Sequence, residues 1–161
     1  FQDQVQIKVW FDVSIETLCA HQSGAPAFSG SGLVHGDAHQ ENFIRSAEGK
    51  VWLVDWPNAC RGPAVFDALF LAADIESRAG LLIEEGLRLY GAARGRILSD
   101  DEQTWMAVQM AGFWADQAYR TVPDKLPRLR WIQKSMLLAL LKFLARRGVT
   151  ESIPRMKNQR L

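Results

Sequence analysis

The stretch from Gly32 to Val54 constrains the fold more than any other part of this chain. Three short strand-like runs fall inside it, Gly32-Leu33-Val34-His35, Phe43-Ile44-Arg45-Ser46 and Val51-Trp52-Leu53-Val54, the last of them rich in β-branched and aromatic residues. Such residues suit the pleated, half-buried surface of a strand. Ala47-Glu48-Gly49-Lys50 separates the last two runs and supplies a glycine-bearing turn, so the pair predicts a β-hairpin. Everything downstream follows helical periodicity instead. Val65, Ala68, Leu69, Ala72 and Ile75 share one face of a helix predicted over 64–79, and a second helix is predicted over 81–93. Ser99-Asp100-Asp101-Glu102 has the form of a capping box, opening a helix that runs to about Arg120. Pro127 suits the first turn of a final helix. Arg146-Arg147-Gly148 ends that helix, with cations in its last turn and glycine after it. Upstream, Val5 to Val9 alternates like a strand, a helix is expected from about Val9 to His21, and Gly24 to Gly32 reads as a loop. The expected class is α+β: a mostly helical body with a small β-hairpin region.

Composition narrows the class further. Of 161 residues, 48% are hydrophobic and 23% charged, which excludes general disorder and leaves room for a core of its own. The two cysteines, Cys19 and Cys60, have no metal-binding spacing. They exclude a cysteine zinc site and a disulfide framework and fit a reducing cytoplasm, the expected location. No apolar run approaches the ~20 residues of a membrane span, and no signal peptide is readable. The longest uncharged apolar run, Met136 to Leu141, reads as a buried helix face. Charge is uneven. From Arg128 onward nine Lys/Arg face one acid, Glu151, while the residues before it carry ten bases and seventeen acids. The basic half lacks the aromatic interleaving of a single-strand binder, so a solvated helix face is expected and no nucleic-acid or membrane partner.

The residues that carry chemistry are His35-Gly36-Asp37-Ala38-His39-Gln40-Glu41-Asn42, followed by Asp55. Asn42 immediately precedes one hairpin strand and Asp55 immediately follows the other. A hairpin returns the chain to its starting edge, so both side chains are expected at one open end, with Asp37 in the loop entering it. Two carboxylates and an amide suit a hard cation such as Mg²⁺, which keeps waters and takes substrate phosphates as further ligands. A carboxylate that the metal does not need can serve as a base.

His35-Gly36-Asp37, four residues, Asn42, and Asp55 thirteen residues later resemble the C-terminal lobe of the aminoglycoside phosphotransferases and choline-kinase-like small-molecule kinases. The segment Gly62-Pro63-Ala64-Val65-Phe66-Asp67 also resembles that family's approach to a helix. The resemblance implies a protein-kinase-like C-terminal lobe and an ATP- or GTP-dependent transfer of phosphate to a small-molecule hydroxyl. It implies that Asp37 takes or orients the hydroxyl proton, and that Asn42 and Asp55 hold Mg²⁺ on the nucleotide phosphates. His35 and Asp67 support the loop, and His39 stands where protein kinases often place a phosphate-contacting lysine. Trp56 stands where they have the Phe after the metal-binding Asp.

The family also has an N-terminal lobe with a nucleotide-gripping lysine. Val5-Gln6-Ile7-Lys8 copies the V-x-I-K strand of that lysine, but Lys8 lies only 29 residues before Asp37, and the match reads as coincidence. Residues 1–161 are therefore expected to be one C-terminal lobe, with the N-terminal lobe belonging to the complete enzyme. Two rival readings accompany this one. A metal-dependent phosphoesterase could use Asp37-Ala38-His39, although His21 is the one histidine outside the His35–Asn42 segment. A lobe without its nucleotide-gripping partner could instead serve as a non-catalytic binding or regulatory module. Trp105, Phe113, Trp114 and Trp131 are expected mainly as core, and Cys60 as inert. For the acceptor, ten acids against five arginines between Ala64 and Asp124 suggest a cationic amine, with Asp116 beside Trp114 as its candidate partner.

Overall fold

A computed structural model describes residues 16–20 and 30–150 of the chain. Residues 16–20 are helical. The remainder of the helix expected to His21, the strand expected at Val5 to Val9 and Lys8 lie outside the described residues. Four short strands follow: β1 (Gly32–Val34), β2 (Phe43–Arg45), β3 (Val51–Leu53) and β4 (Cys60–Gly62). Four helices complete the body: α1 (Val65–Ala79), α2 (Ile83–Arg94), α3 (Asp100–Ala118) and α4 (Leu129–Arg146). The class is α+β. Among the described residues, no helix is long and apolar enough to cross a membrane.

The β region is two separate antiparallel ladders. The expected hairpin pairs Phe43 with Leu53, Ile44 with Trp52 and Arg45 with Val51. Its turn closes through the Ser46 N–H on Lys50 O and the Gly49 N–H on Ser46 O. The second ladder was not expected: Val34 of β1 pairs with Cys60 of β4, and Gly32 with Gly62. Cys60-Arg61-Gly62 has no alternation to mark it, and its partner lies nearly thirty residues away. The pairing carries the chain from the hairpin back beside β1 and feeds it into α1.

The helices bury the core. Leu69, Ile83, Met106, Met110, Leu140 and Phe143 are almost wholly buried within one cluster. Burying a side chain of this size contributes about 1.5–3 kcal/mol, so α1, α3 and α4 form a firm base for the loops. The Ser99 hydroxyl caps α3 by accepting the Glu102 N–H at 3.2 Å. The reciprocal half of the capping box is absent, because the Glu102 carboxylate turns to Arg96 at 2.8 Å. The last helix begins at Leu129, two residues after Pro127, and Gly148 at φ 72° follows its C-terminal Arg146 and Arg147. Phe113 and Trp131 are exposed rather than core. The buried stripe of α4 runs through Gln133, Met136, Leu137, Leu140, Leu141 and Leu144, and position 131 falls off it. Phe113 is a 100° rotation from the buried Trp114 and packs on its edge instead, with ring centroids 5.0 Å apart.

Candidate active site

The loop leaving β1 is held by backbone hydrogen bonds to two aspartates of α1. Asp67 accepts the His35 N–H at 2.6 Å and the Gly36 N–H at 3.0 Å. Asp74 accepts the Gln40 N–H at 2.9 Å and is 0% exposed. The two are seven residues apart, so two helical turns bring them to the same face. Arg78, one turn further, binds Asp74 at 2.8 Å and reaches Glu41 at 2.9 Å. Gly36 has φ 78°, and a Cβ there would meet Asn58 O at 2.8 Å, so the turn needs glycine on both counts.

His35 is fully buried and ties the loop to the strand that leads to Asp55. Its Nδ1 accepts the Asp37 N–H at 3.3 Å, and its Nε2 lies 2.9 Å from Val54 O. A backbone N–H only donates and a carbonyl only accepts, which sets the Nε2–H tautomer. Trp56 covers the ring edge-on at 4.6 Å and anchors its own indole N–H on Leu53 O at 2.8 Å.

Asn42 and Asp55 flank the open end of the hairpin. The Val54 N–H donates to Asn42 O at 2.9 Å, so the ladder extends to Asn42 and Asp55 follows directly. The Asn42 Nδ2 donates to Asp37 O at 2.9 Å. A carbonyl can face only the amide nitrogen, which leaves the Asn42 Oδ1 as a hard oxygen ligand with no partner among the described residues. Asp55 is the only described non-glycine residue with left-handed backbone, φ 65°. Its carboxylate has no hydrogen-bond or ion-pair partner among the described residues. One amide oxygen and one unpaired carboxylate fit Mg²⁺ completed by water and phosphate. Among the described residues, no group of three or more His, Cys, Asp or Glu could hold a metal. The ligand set of a dinuclear phosphoesterase is therefore not assembled there, and His21 lies outside the described residues.

Asp37 and His39 open onto a cleft of about 450 Å³ between the loop, α1, the end of α3 and the start of α4. The His39 Nε2 is 3.7 Å from the Asp37 Oδ2, and the buried His39 Nδ1 has no partner. Trp114 lines this cleft and meets Phe70 edge-on at 5.4 Å. Asp116 does not line it. It is exposed and pairs with Arg120 at 2.5 Å. Most acids that suggested a cationic acceptor are engaged within the fold. Asp67 and Asp74 hold the loop; Glu76 and Glu84 bind Arg146; Glu85, Asp100 and Glu102 bind Arg88, Arg147 and Arg96. The mid-region excess of acids is thus largely structural, and the one of them that lines the cleft, Asp74, is paired with Arg78.

Sequence reasoning missed Asp74 as a support of the loop. The signal was available: a carboxylate seven residues after Asp67, inside a stretch where Ala72, Ala73 and Phe70 are buried. It also missed the contribution of the segment before α4, which brings Lys125 and Arg128 to the cleft, and of the first turns of α4, which bring Gln133. No local pattern marks those positions.

Comparison with known proteins bears on this arrangement. No curated protein and no solved structure matches the chain. The family model described as the phosphotransferase enzyme family (APH) matches residues 5–110, a span that takes in both ladders, the braced loop, α1 and α2. The α+β architecture is consistent with the kinase-like fold that this family implies. Matched over more than half of its length, the chain belongs to the phosphotransferase enzyme family.

Proposed function

We propose that this chain is the catalytic lobe of an ATP- or GTP-dependent phosphotransferase that acts on a hydroxyl of a small molecule. The observation that carries the reading is a division of labour around one loop. The Asp37 carboxylate faces the cleft, while Asn42 Oδ1 and the unpaired Asp55 carboxylate stand at the hairpin mouth. Asp37 accepts the proton of the acceptor hydroxyl as it attacks. His35, Asp67 and Asp74 hold the loop so that Asp37 meets that hydroxyl without reorganising. Asn42 and Asp55 are the residues that would hold Mg²⁺, which supplies charge neutralisation on the nucleotide phosphates. The left-handed backbone at Asp55 stores about 1–3 kcal/mol of strain, as is common where a side chain must be aimed. Most of the rate would come from positioning and charge, since phosphoryl transfer asks little covalent chemistry of the protein.

The test is Asp37→Asn in the full protein, assayed for phosphotransfer from ATP to a panel of small alcohols. General-base assistance is worth about 10²–10⁴-fold, and turnover is expected to fall by that much. The Asp37 side chain accepts no described hydrogen bond, so thermal stability should stay within about 0.5 kcal/mol of wild type. Unchanged turnover in a well-folded variant would remove Asp37 from the mechanism.

A further inference from the structure

The two ends of the cleft differ in hydrogen-bonding chemistry. The loop end presents acceptors: Asp37, and the Glu41 and Asp74 carboxylates that pair with Arg78. The opposite end presents donors. Lys125 and Arg128 line it, are exposed, and have no ion-pair or hydrogen-bond partner among the described residues. Gln133 is 8% exposed, and its Oε1 is occupied by Arg130 at 2.7 Å. A guanidinium only donates, so the group that Gln133 has left is its amide N–H₂. Trp114 is 7% exposed, and its buried indole N–H has no partner. An indole N–H donates only. Two free cations and one buried amide N–H₂ therefore share a cleft with apolar side chains such as Phe70, Leu126, Ile132 and Met136, while the Trp114 N–H is closed off behind its ring. Arg78 also lines it, but Asp74 and Glu41 already satisfy that guanidinium.

The groups left open at this end, Lys125, Arg128 and the Gln133 N–H₂, only donate, and the complement of donors alone is an anionic oxygen group. We propose that the acceptor alcohol carries an anionic oxygen group, such as a carboxylate, at the Lys125–Arg128 end of the cleft and an apolar body against Trp114. This rests on the phosphotransferase reading, because it takes the Asp37 end as the place of the hydroxyl. It reverses the charge expected from the acid count. Most of those acids are engaged within the fold, whereas Lys125 and Arg128 are not.

A matched set of aryl alcohols tests the proposal: 4-(hydroxymethyl)benzoate, 4-methylbenzyl alcohol and 4-(hydroxymethyl)benzylammonium. Binding to the full chain is measured by NMR titration without nucleotide. Two exposed charge pairs each contribute a factor of about 1.4 to 5, so the benzoate should bind roughly tenfold more tightly than the neutral alcohol. The ammonium compound should bind most weakly, and 0.5 M salt should shrink the differences. Lys125→Glu combined with Arg128→Glu should invert the order. Lys125→Gln with Arg128→Gln should flatten it, and circular dichroism checks the fold of both. Equal binding of all three, tightest binding of the ammonium compound, an order unmoved by charge reversal, or no binding at millimolar concentration would each overturn the proposal. Phosphotransfer from ATP is scored separately. The charge order without transfer would leave this site standing and remove the kinase reading. Transfer without the charge order would do the reverse.

Discussion

Replacing Asp67 tests whether the loop is held from α1. The carboxylate accepts two backbone N–H groups, from His35 at 2.6 Å and Gly36 at 3.0 Å. Hydrogen bonds to a charged group contribute about 1.5–3 kcal/mol each. In Asp67→Ala both donors lose their partner beside a residue, His35, that is wholly buried, and water can reach them only if the loop opens. Asp67 is itself half-buried, so the lower end of the range applies and the loss should be about 3 kcal/mol. Asp67→Asn keeps one acceptor oxygen and sets an N–H₂ against the other donor. It should lose at least half as much. Two measurements separate a global from a local effect. Urea unfolding should shift its midpoint by about 1–2 M for a chain of this size. If the loop opens alone, the His35 and Gly36 amides should exchange about 10²-fold faster, the equivalent of ~3 kcal/mol. An unchanged urea midpoint together with unchanged exchange at both amides in Asp67→Ala would refute the idea that these bonds hold the loop.

Other outcomes follow from the same geometry. Asp55→Ala and Asp55→Gly should both lose Mg²⁺-dependent nucleotide binding. The glycine variant should be the more stable of the two by about 1 kcal/mol, because φ 65° strains alanine and not glycine; thermal unfolding of the pair decides it. Arg146 binds Glu76 at 2.9 Å and Glu84 at 2.7 Å, and the Glu76 side chain is nearly buried. Arg146→Gln should therefore cost about 2 kcal/mol in urea, less than a fully buried pair because the guanidinium is one-third exposed. Burial pushes the Glu84 carboxyl up, but the Arg146 hydrogen bonds and charge outweigh it and hold it below its ordinary value of 4.5. A depressed carboxyl contributes its full stability above the unfolded value and loses it as pH falls through the folded one. Wild type and Arg146→Gln should accordingly converge in stability below pH 4.5, and parallel curves there would argue against the pair.

Residues that obey a local rule were legible in the amino-acid order. The hairpin followed from two strand-forming runs about a glycine-bearing turn, and its register alone brings Asn42 and Asp55 to one end. Ser99 before a run of acids announced the start of α3, and Gly148 the end of α4. In each case the determining contacts lie within a few residues, where sterics and hydrogen bonding leave few choices. The class, α+β with a helical body, followed from the same rules applied along the chain.

What joins distant segments was decided only by tertiary packing. The β1–β4 ladder pairs residues nearly thirty positions apart, and although β1 reads as a strand, nothing in Cys60-Arg61-Gly62 announces its partner. Asp74 was one of ten acids counted toward a cationic acceptor, and packing turned it, with Asp67, toward the loop. Arg146 and Arg147, read as cations serving the end of their own helix, instead reach Glu76, Glu84 and Asp100 on other helices. The cleft beside Asp37 collects donors from the start of α4 and a tryptophan from α3. The sign of its charge therefore depends on which acids and bases are left unpaired after folding. Counting charges along a segment cannot supply that, because pairing across the core cancels charges that sequence distance keeps apart.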